Sequence, residues 1–310
     1  RYFTAVGGSF TFFCAAGKEV GEGCYSMKLN QFNDFCRECN ITDPQSEHCK
    51  QAHLDRMFIA VNYEEDKTSE ISVINNDVEL TRFEWLEMLT RLAVAKYGLG
   101  QRTDDVSDAV EILLEENLNA HLPPECLVVT NEFRNRLYDE SVLAVFTKHA
   151  ELLRTIFNFM NARDREKAMS MANWLRLMEM GGLVNERTDI SLRQAKLSYI
   201  WSQMLVMDEV FDRYRLVTLT FCDFMESLAR VADAMSPQPR EELLDWVRKR
   251  NPECEVDETA PVTYMYFAQV GRDASMKNRR PSGGLVSGKT RPLADKLEQA
   301  LEVLFGNLLQ

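Results

Sequence analysis

Apolar residues recur at helical spacing along most of the chain. Between Glu84 and Lys96 the sequence EWLEMLTRLAVAK sets Trp85, Leu86, Leu89, Leu92 and Ala93 on one stripe, the spacing of a helix with a single buried face. The same pattern predicts helices over Leu143–Met160, Trp174–Met180, Leu197–Val210 and Phe224–Ala234. Short polar side chains cap free backbone N–H groups, so Thr103-Asp104-Asp105 is expected to open a helix running to Leu118. A last amphipathic helix is expected over Leu293–Leu309, where Leu293, Leu297, Leu301, Leu304 and Leu308 fall on one face. Strand signals are few. Val262–Val270 (VTYMYFAQV) is the best, being aromatic and β-branched, and Cys126–Val129 is a shorter candidate. The pattern predicts an all-α protein with little β-structure.

Turn-forming residues cluster at His121–Glu125 (HLPPE), at Ser236–Pro239 (SPQP) and along Arg279–Pro292. The first two are expected to mark domain boundaries, and the third reads as a mobile loop before the last helix.

A weak internal repeat is the most informative feature. Leu80–Ala93 (LTRFEWLEMLTRLA) and Leu219–Ala232 (LTFCDFMESLARVA) align without gaps, and an acidic residue followed by an aromatic one recurs as Glu84-Trp85 and Asp223-Phe224. This pattern resembles the second half of a hand in the calmodulin-like EF-hand family. The resemblance implies that Leu219 is the strand-like residue in mid-loop, Asp223 the last metal ligand, Phe224 the opening of the exit helix, and Asp212 the first ligand after a helix ending in Val210-Phe211. The sequence departs from the family at Tyr214, Leu216 and Val217, where ligating oxygens and a turn glycine are needed. Asn62 and Glu84 correspond to first and last ligands of a loop lengthened by insertion. Met27, Gln31 and Phe32 fit the end of a third loop, and Asn161–Asn173 (NARDREKAMSMAN) fits a fourth. The resemblance implies two degenerate pairs, residues 1–100 and 141–235, with a helical linker over 101–140 and a C-terminal extension over 236–310. Such tandem hands are similar to modules of large ciliary and cytoskeletal proteins in single-celled eukaryotes. The same stripes also suit an unrelated helical fold.

The net charge of −12 disfavours nucleic acid and anionic lipid as partners, since both call for a basic surface. A small local basic patch survives at Lys277, Arg279 and Arg280. No apolar run reaches the roughly 18 residues of a membrane span. Arg1–Val6 carries neither an initiator Met nor a signal-peptide pattern, so a segment of a longer polypeptide is expected. Eight irregularly spaced cysteines in a long helical chain point to a reducing compartment and small buried apolar thiols.

Motifs with chemistry are weak. Gly283–Thr290 (GGLVSGKT) matches a phosphate-binding loop around Lys289, but no strand precedes it and too little chain follows for a nucleotide-binding sheet. Arg279-Arg280-Pro281-Ser282 is a pattern that basophilic kinases accept. Cys36, Cys39, Cys49 and His53 (with His48 nearby) offer thiolate and imidazole ligands of the kind zinc takes, at a spacing of no recognised finger; buried structural thiols are the competing reading. His121 and His149 lack a nucleophile pattern nearby. The fourteen methionines, Met169, Met171, Met178 and Met180 among them, suit either an adaptable groove for a partner helix or ordinary core filling.

These features predict a non-catalytic, cofactor-free interaction scaffold. Its apolar grooves are expected to hold helices or peptides of other proteins, in a cytoplasmic, cytoskeletal, ciliary or axonemal (microtubule-associated) assembly. The C-terminal helix is expected to dock either in its own chain's groove or in a partner's. The alternative is a calcium-regulated sensor with one weak site, at Asp212 and Asp223 or at Asn62 and Glu84.

Overall fold

In a computed structural model the chain is mostly helical, with two short antiparallel strand pairs among the described residues. The structure describes residues 2–17, 24–63, 78–99, 102–162, 167–206, 208–209, 211–235, 237–250, 260–270 and 291–309. The all-α reading therefore holds. The chain divides into two compact units, Arg1–Val129 with Val206–Arg213, and Thr130–Leu205 with Tyr214–Gln310.

In the first unit, α1 (Phe3–Cys14) leads to β1 (Met27–Lys28) and α2 (Leu29–Glu38), and α3 (Gln51–Val61) leads to β2 (Glu79–Leu80) and α4 (Arg82–Ala93). Met27 pairs with Leu80, and Lys28 with Glu79. A π-helical turn, Val94–Gly98, closes α4. Helix α5 (Val106–Ile112) starts at Asp105, whose side chain accepts from the N–H groups of Ser107 and Asp108, and runs on as a π-helical stretch, Leu113–Asn119. A 3₁₀ turn, Pro124–Leu127, packs on α1. Gly8 permits that contact: a Cβ there would lie 1.8 Å from the Cys126 carbonyl oxygen.

In the second unit, after α6 (Thr130–Leu137), the order recurs. Helix α7 (Glu140–Asn161) precedes β3 (Met169–Ser170) and α8 (Met171–Met180). Helices α9 (Leu192–Ser202) and α10 (Arg213–Val217) precede β4 (Thr218–Leu219) and α11 (Phe221–Met235). Met169 pairs with Leu219, and Ser170 with Thr218. Helices α12 (Arg240–Arg250), α13 (Val262–Val270) and α14 (Leu293–Leu308) complete it.

The four strand-to-helix junctions share one pattern: Met27 with Phe32, Leu80 with Trp85, Met169 with Trp174, and Leu219 with Phe224. All eight side chains are fully buried. A strand residue points its side chain into the core, and the aromatic on the first turn of the following helix meets it there. Around the junctions Phe35 lies edge-on to Trp85 with ring centres 4.7 Å apart, and Trp174 edge-on to Phe224 at 6.2 Å. Each tryptophan also donates to a distant carbonyl, Trp85 to Val6 at 3.1 Å and Trp174 to Ala195 at 2.9 Å, so its N–H is satisfied where water is excluded.

Several local expectations are corrected. Val262–Val270 is helix α13, not a strand. Val262, Thr263 and Phe267 are buried, and packing against α12 and α14 outweighs β-propensity, which is strongly dependent on context. The helix expected to reach Val210 stops at Ser202. There the Arg134 guanidinium takes up the carbonyls of Trp201, Ser202 and Gln203, and Gln203 turns to an extended conformation. Cys126 lies in the 3₁₀ turn, with only Val128 extended. Leu86 is exposed while Met88 is buried, because Leu86 sits ~90° from the centre of the buried face. Helices α12–α14 belong to the second unit.

Candidate functional site

The residues singled out for metal binding end up mostly as structural groups. Glu84 is buried, and its Oε2 accepts from the Thr81 N–H at 2.7 Å and the Thr81 hydroxyl at 2.8 Å. Asp223 repeats this geometry: its Oδ2 accepts from the Thr220 N–H at 2.9 Å and hydroxyl at 2.7 Å. These are helix caps, in which a carboxylate satisfies donors that the first turn leaves open and sits at the positive end of the helix dipole. Asp223 also takes a cation from the protein, since Arg215 Nη1 lies 3.3 Å from the same Oδ2. Gln31 holds the matching place in α2, accepting from the Lys28 N–H at 2.7 Å and donating to the Cys14 carbonyl at 2.9 Å.

The first-ligand positions are not equivalent to one another. Asp212 is exposed, follows a turn rather than the expected helix, and belongs to a different unit from Asp223; the span after it forms α10. Asn62 is buried at the end of α3. Its Nδ2 donates to the Phe58 carbonyl at 3.0 Å, while its Oδ1 has no hydrogen-bond partner among the described residues.

Cys36, Cys39 and Cys49 are buried free thiols. Burial raises all three, Cys39 up to about 12, and the neighbouring cysteines push Cys36 further the same way. Zinc binds the thiolate, so this setting opposes ligation. His53 Nδ1 is buried without a hydrogen-bond partner among the described residues. Among the described residues no three His, Cys, Asp or Glu side chains are grouped to hold a metal. The phosphate-loop match with Lys289, the Ser282 kinase pattern and the basic patch at Lys277, Arg279 and Arg280 lie outside the described residues.

Helix α14 marks the groove. Leu293, Leu297, Leu301 and Leu304 are buried and Leu308 partly so, against α11, α13, α7 and α8 of the same unit. Of the two expected settings, the structure places this helix in its own chain. Met169, Met171 and Met178 are core residues, and Met180 alone of the four is exposed.

No protein-family model, curated protein or solved structure matches this chain.

Polar groups set the position of α14. Lys296 is 1% exposed, and its Nζ donates to Asp233 Oδ1 on α11 at 2.9 Å. Arg136 on α6 clasps the same carboxylate with two bonds of 2.8 Å. Glu298 meets Lys148 at 2.5 Å and His149 at 3.1 Å on α7. Glu302 meets Arg240 at 2.9 Å and accepts from the Thr263 N–H at 2.8 Å. Sequence periodicity exposed the leucine stripe but not these pairs, whose partners lie 39 to 150 residues away along the chain.

The ion pairs predict how α14 responds to acid. Burial by itself raises the Asp233 carboxyl, but the bonds and charges of Arg136 and Lys296 outweigh it and hold it below its ordinary value. Glu298 is lowered in the same way by Lys148 and His149 against burial. A carboxylate lowered in the folded state contributes stability that is fully present above its unfolded pKa and is lost as pH falls through the folded one. Glu302 has the opposite sign, raised by burial against its hydrogen bonds and Arg240, and so favours the folded state as it takes up a proton. Amide exchange of α14 followed down a pH series should show protection retained through pH 5 and lost below the ordinary carboxylate range. Asp233→Asn should flatten that step. Loss beginning near pH 6 would contradict the assignment.

No helix among the described residues is long and apolar enough to cross a membrane.

Proposed function

We propose that this chain is a non-catalytic protein-interaction scaffold, built of EF-hand-like pairs that hold helices without calcium. The observation that carries the reading is that the second unit closes on helix α14 while its loop-end carboxylate, Asp223, is already paired with Thr220 and Arg215. A calcium sensor opens its groove when the ion recruits that carboxylate. Here protein donors occupy it, and packing together with the ion pairs of α14 sets the groove open around a helix. The two-residue strand pairs and the four buried strand–aromatic junctions support the family resemblance, and the acidic surface favours other proteins as partners over nucleic acid.

Calorimetric titration of the chelator-treated protein tests this. No saturable heat is expected up to millimolar calcium, the range in which weak extracellular modules bind. Saturable micromolar binding would instead establish the sensor, with the unpartnered Asn62 Oδ1 as the first place to look.

A further inference from the structure

The two units use the same device to hold their last helix. In the first, α2 ends with Asn40 in the left-handed conformation (φ 53°), the Asn40 N–H bonded to the Arg37 carbonyl and the Ile41 N–H to the Cys36 carbonyl. In the second, α8 ends with Gly182 (φ 65°), its N–H bonded to the Glu179 carbonyl and the Leu183 N–H to the Met178 carbonyl. Both are Schellman endings. They fall at matching places, since Asn40 follows Met27 by the same interval as Gly182 follows Met169.

Such an ending leaves carbonyl oxygens open at the negative end of the helix dipole. In each unit an asparagine amide from another helix takes one up. Asn117 Nδ2, in the π-helical continuation of α5, donates to the Cys39 carbonyl at 2.8 Å and the Asn40 carbonyl at 3.1 Å. Asn307 Nδ2, on α14, donates to the Gly181 carbonyl at 3.2 Å. Cys39 and Gly181 are themselves matching positions.

The helices that carry these amides share a local sequence: Leu113-Leu114-x-x-Asn117-Leu118 and Val303-Leu304-x-x-Asn307-Leu308. Leu113, Leu114, Leu118, Val303 and Leu304 are buried. Helix α14 packs against α11, and α5, which runs on into the stretch carrying Asn117, packs against α4. The approach is close on the receiving side as well, because a Cβ on Gly182 would lie 2.7 Å from Asn307 Nδ2 and one on Gly181 would lie 2.2 Å from Leu304.

We propose that the two grooves recognise one kind of ligand, a helix bearing [Leu/Val]-Leu-x-x-Asn-Leu. The leucines fill the groove, and the asparagine amide, as hydrogen-bond donor, reads the carbonyl that ends the first exit helix. Asn117 and Asn307 are the specificity-determining residues, and each unit holds its own copy of the ligand. The inference rests on the helix-holding reading above and names the ligand class.

The test uses the full chain with a protease site placed between residues 271 and 290. After cleavage, the segment carrying α14 is exchanged for a fluorescent peptide of residues 291–309. The peptide should exchange in. Its Asn307→Ala form should bind roughly tenfold less tightly, the loss of one hydrogen bond to a main-chain carbonyl. The Asn307→Asp form, equal in shape but without the donor and carrying negative charge toward the carbonyl, should bind more weakly still. A peptide of residues 106–120 with Glu116→Gly should compete for the same site and lose that ability with Asn117→Ala. The glycine is required because Glu116 matches Gly306, where a Cβ would lie 2.5 Å from the Tyr264 ring. Equal binding of the Asn307→Ala peptide, or no competition by the residue 106–120 peptide, would overturn the shared signature and leave the helix-holding groove standing. Failure of every peptide to bind, with α14 lost on cleavage, would remove the helix-holding reading itself.

Discussion

Replacing Glu226 with alanine is expected to destabilise the second unit by about 3–5 kcal/mol. Glu226 is the single carboxylate shared by two guanidinium groups. Its Oε1 accepts from Arg230 at 2.8 and 3.0 Å, and its Oε2 from Arg134 at 3.1 Å. Arg230 is 3% exposed, stacks over the Phe133 ring at 4.4 Å and donates to the Thr130 carbonyl at 2.9 Å. Burial lowers its pKa, while Glu226 works in the opposite direction. Without Glu226 the buried Arg230 loses its paired carboxylate and faces the half-buried Arg134 guanidinium, the case in which losing one partner is far more harmful than replacing the whole group with apolar side chains. Urea unfolding checks this, and a second variant separates the causes. Glu226→Ala combined with Arg230→Met should recover most of the loss. A single variant within ~1 kcal/mol of the parent would show that water or another acceptor reaches the guanidinium groups.

Helix positions were legible in the sequence because burial on one face imposes a period that survives without knowledge of partners. Most of α7, most of α11 and the stripe of α14 follow from it, while the α5 start at Asp105 follows from its capping side chain. Helix ends were less legible, since they depend on groups far away in the chain. The end of α9 at Ser202 is set by Arg134, and no local property of residues 203–210 reports that. Val262–Val270 fails for a related reason: its composition favours a strand, and only contact with α12 and α14 decides otherwise. For the candidate site, the gapless match of Leu80–Ala93 with Leu219–Ala232 located the two carboxylates, and their use as caps was written beside them as Thr81 and Thr220, three residues before each acid. The same spacing marked Met27 with Phe32 in the sequence, and a search for a strand-type apolar residue followed five positions later by an aromatic would also have found Met169 with Trp174. The asparagine signature stayed hidden because a six-residue match gains meaning only when both amides are seen on equivalent carbonyls.

Leu297→Asp is expected to release α14 from the second unit while leaving the strand pair and its aromatic junctions folded. Leu297 is fully buried, and the described ion pairs around it are already complete: Lys296 with Asp233, Glu298 with Lys148, and Glu302 with Arg240. A carboxylate introduced there has no cation assigned to it, and the penalty for an unpaired buried charge is about 3 kcal/mol or more. Undocking one helix relieves that penalty at smaller loss than unfolding the unit, because the core around Trp174, Tyr199 and Phe224 is tied together by its own contacts. Tyr199, for instance, donates to the carbonyls of both Met169 and Val217 at 2.8 Å. Amide exchange should show protection of α14 falling by ~100-fold or more, the factor that 3 kcal/mol represents, with α8, α9 and α11 retaining theirs. The opened groove would expose the apolar surface that Leu293, Leu301 and Leu304 now cover, and an apolar dye should report it. Adding a peptide of residues 291–309 in trans should quench that dye signal. A quenched signal would mean that the groove is a receptor for a helix, whichever chain supplies it. An α14 that stays protected, or a unit that unfolds as a whole, would mean instead that the helix is an inseparable part of the core and that this groove is no receptor.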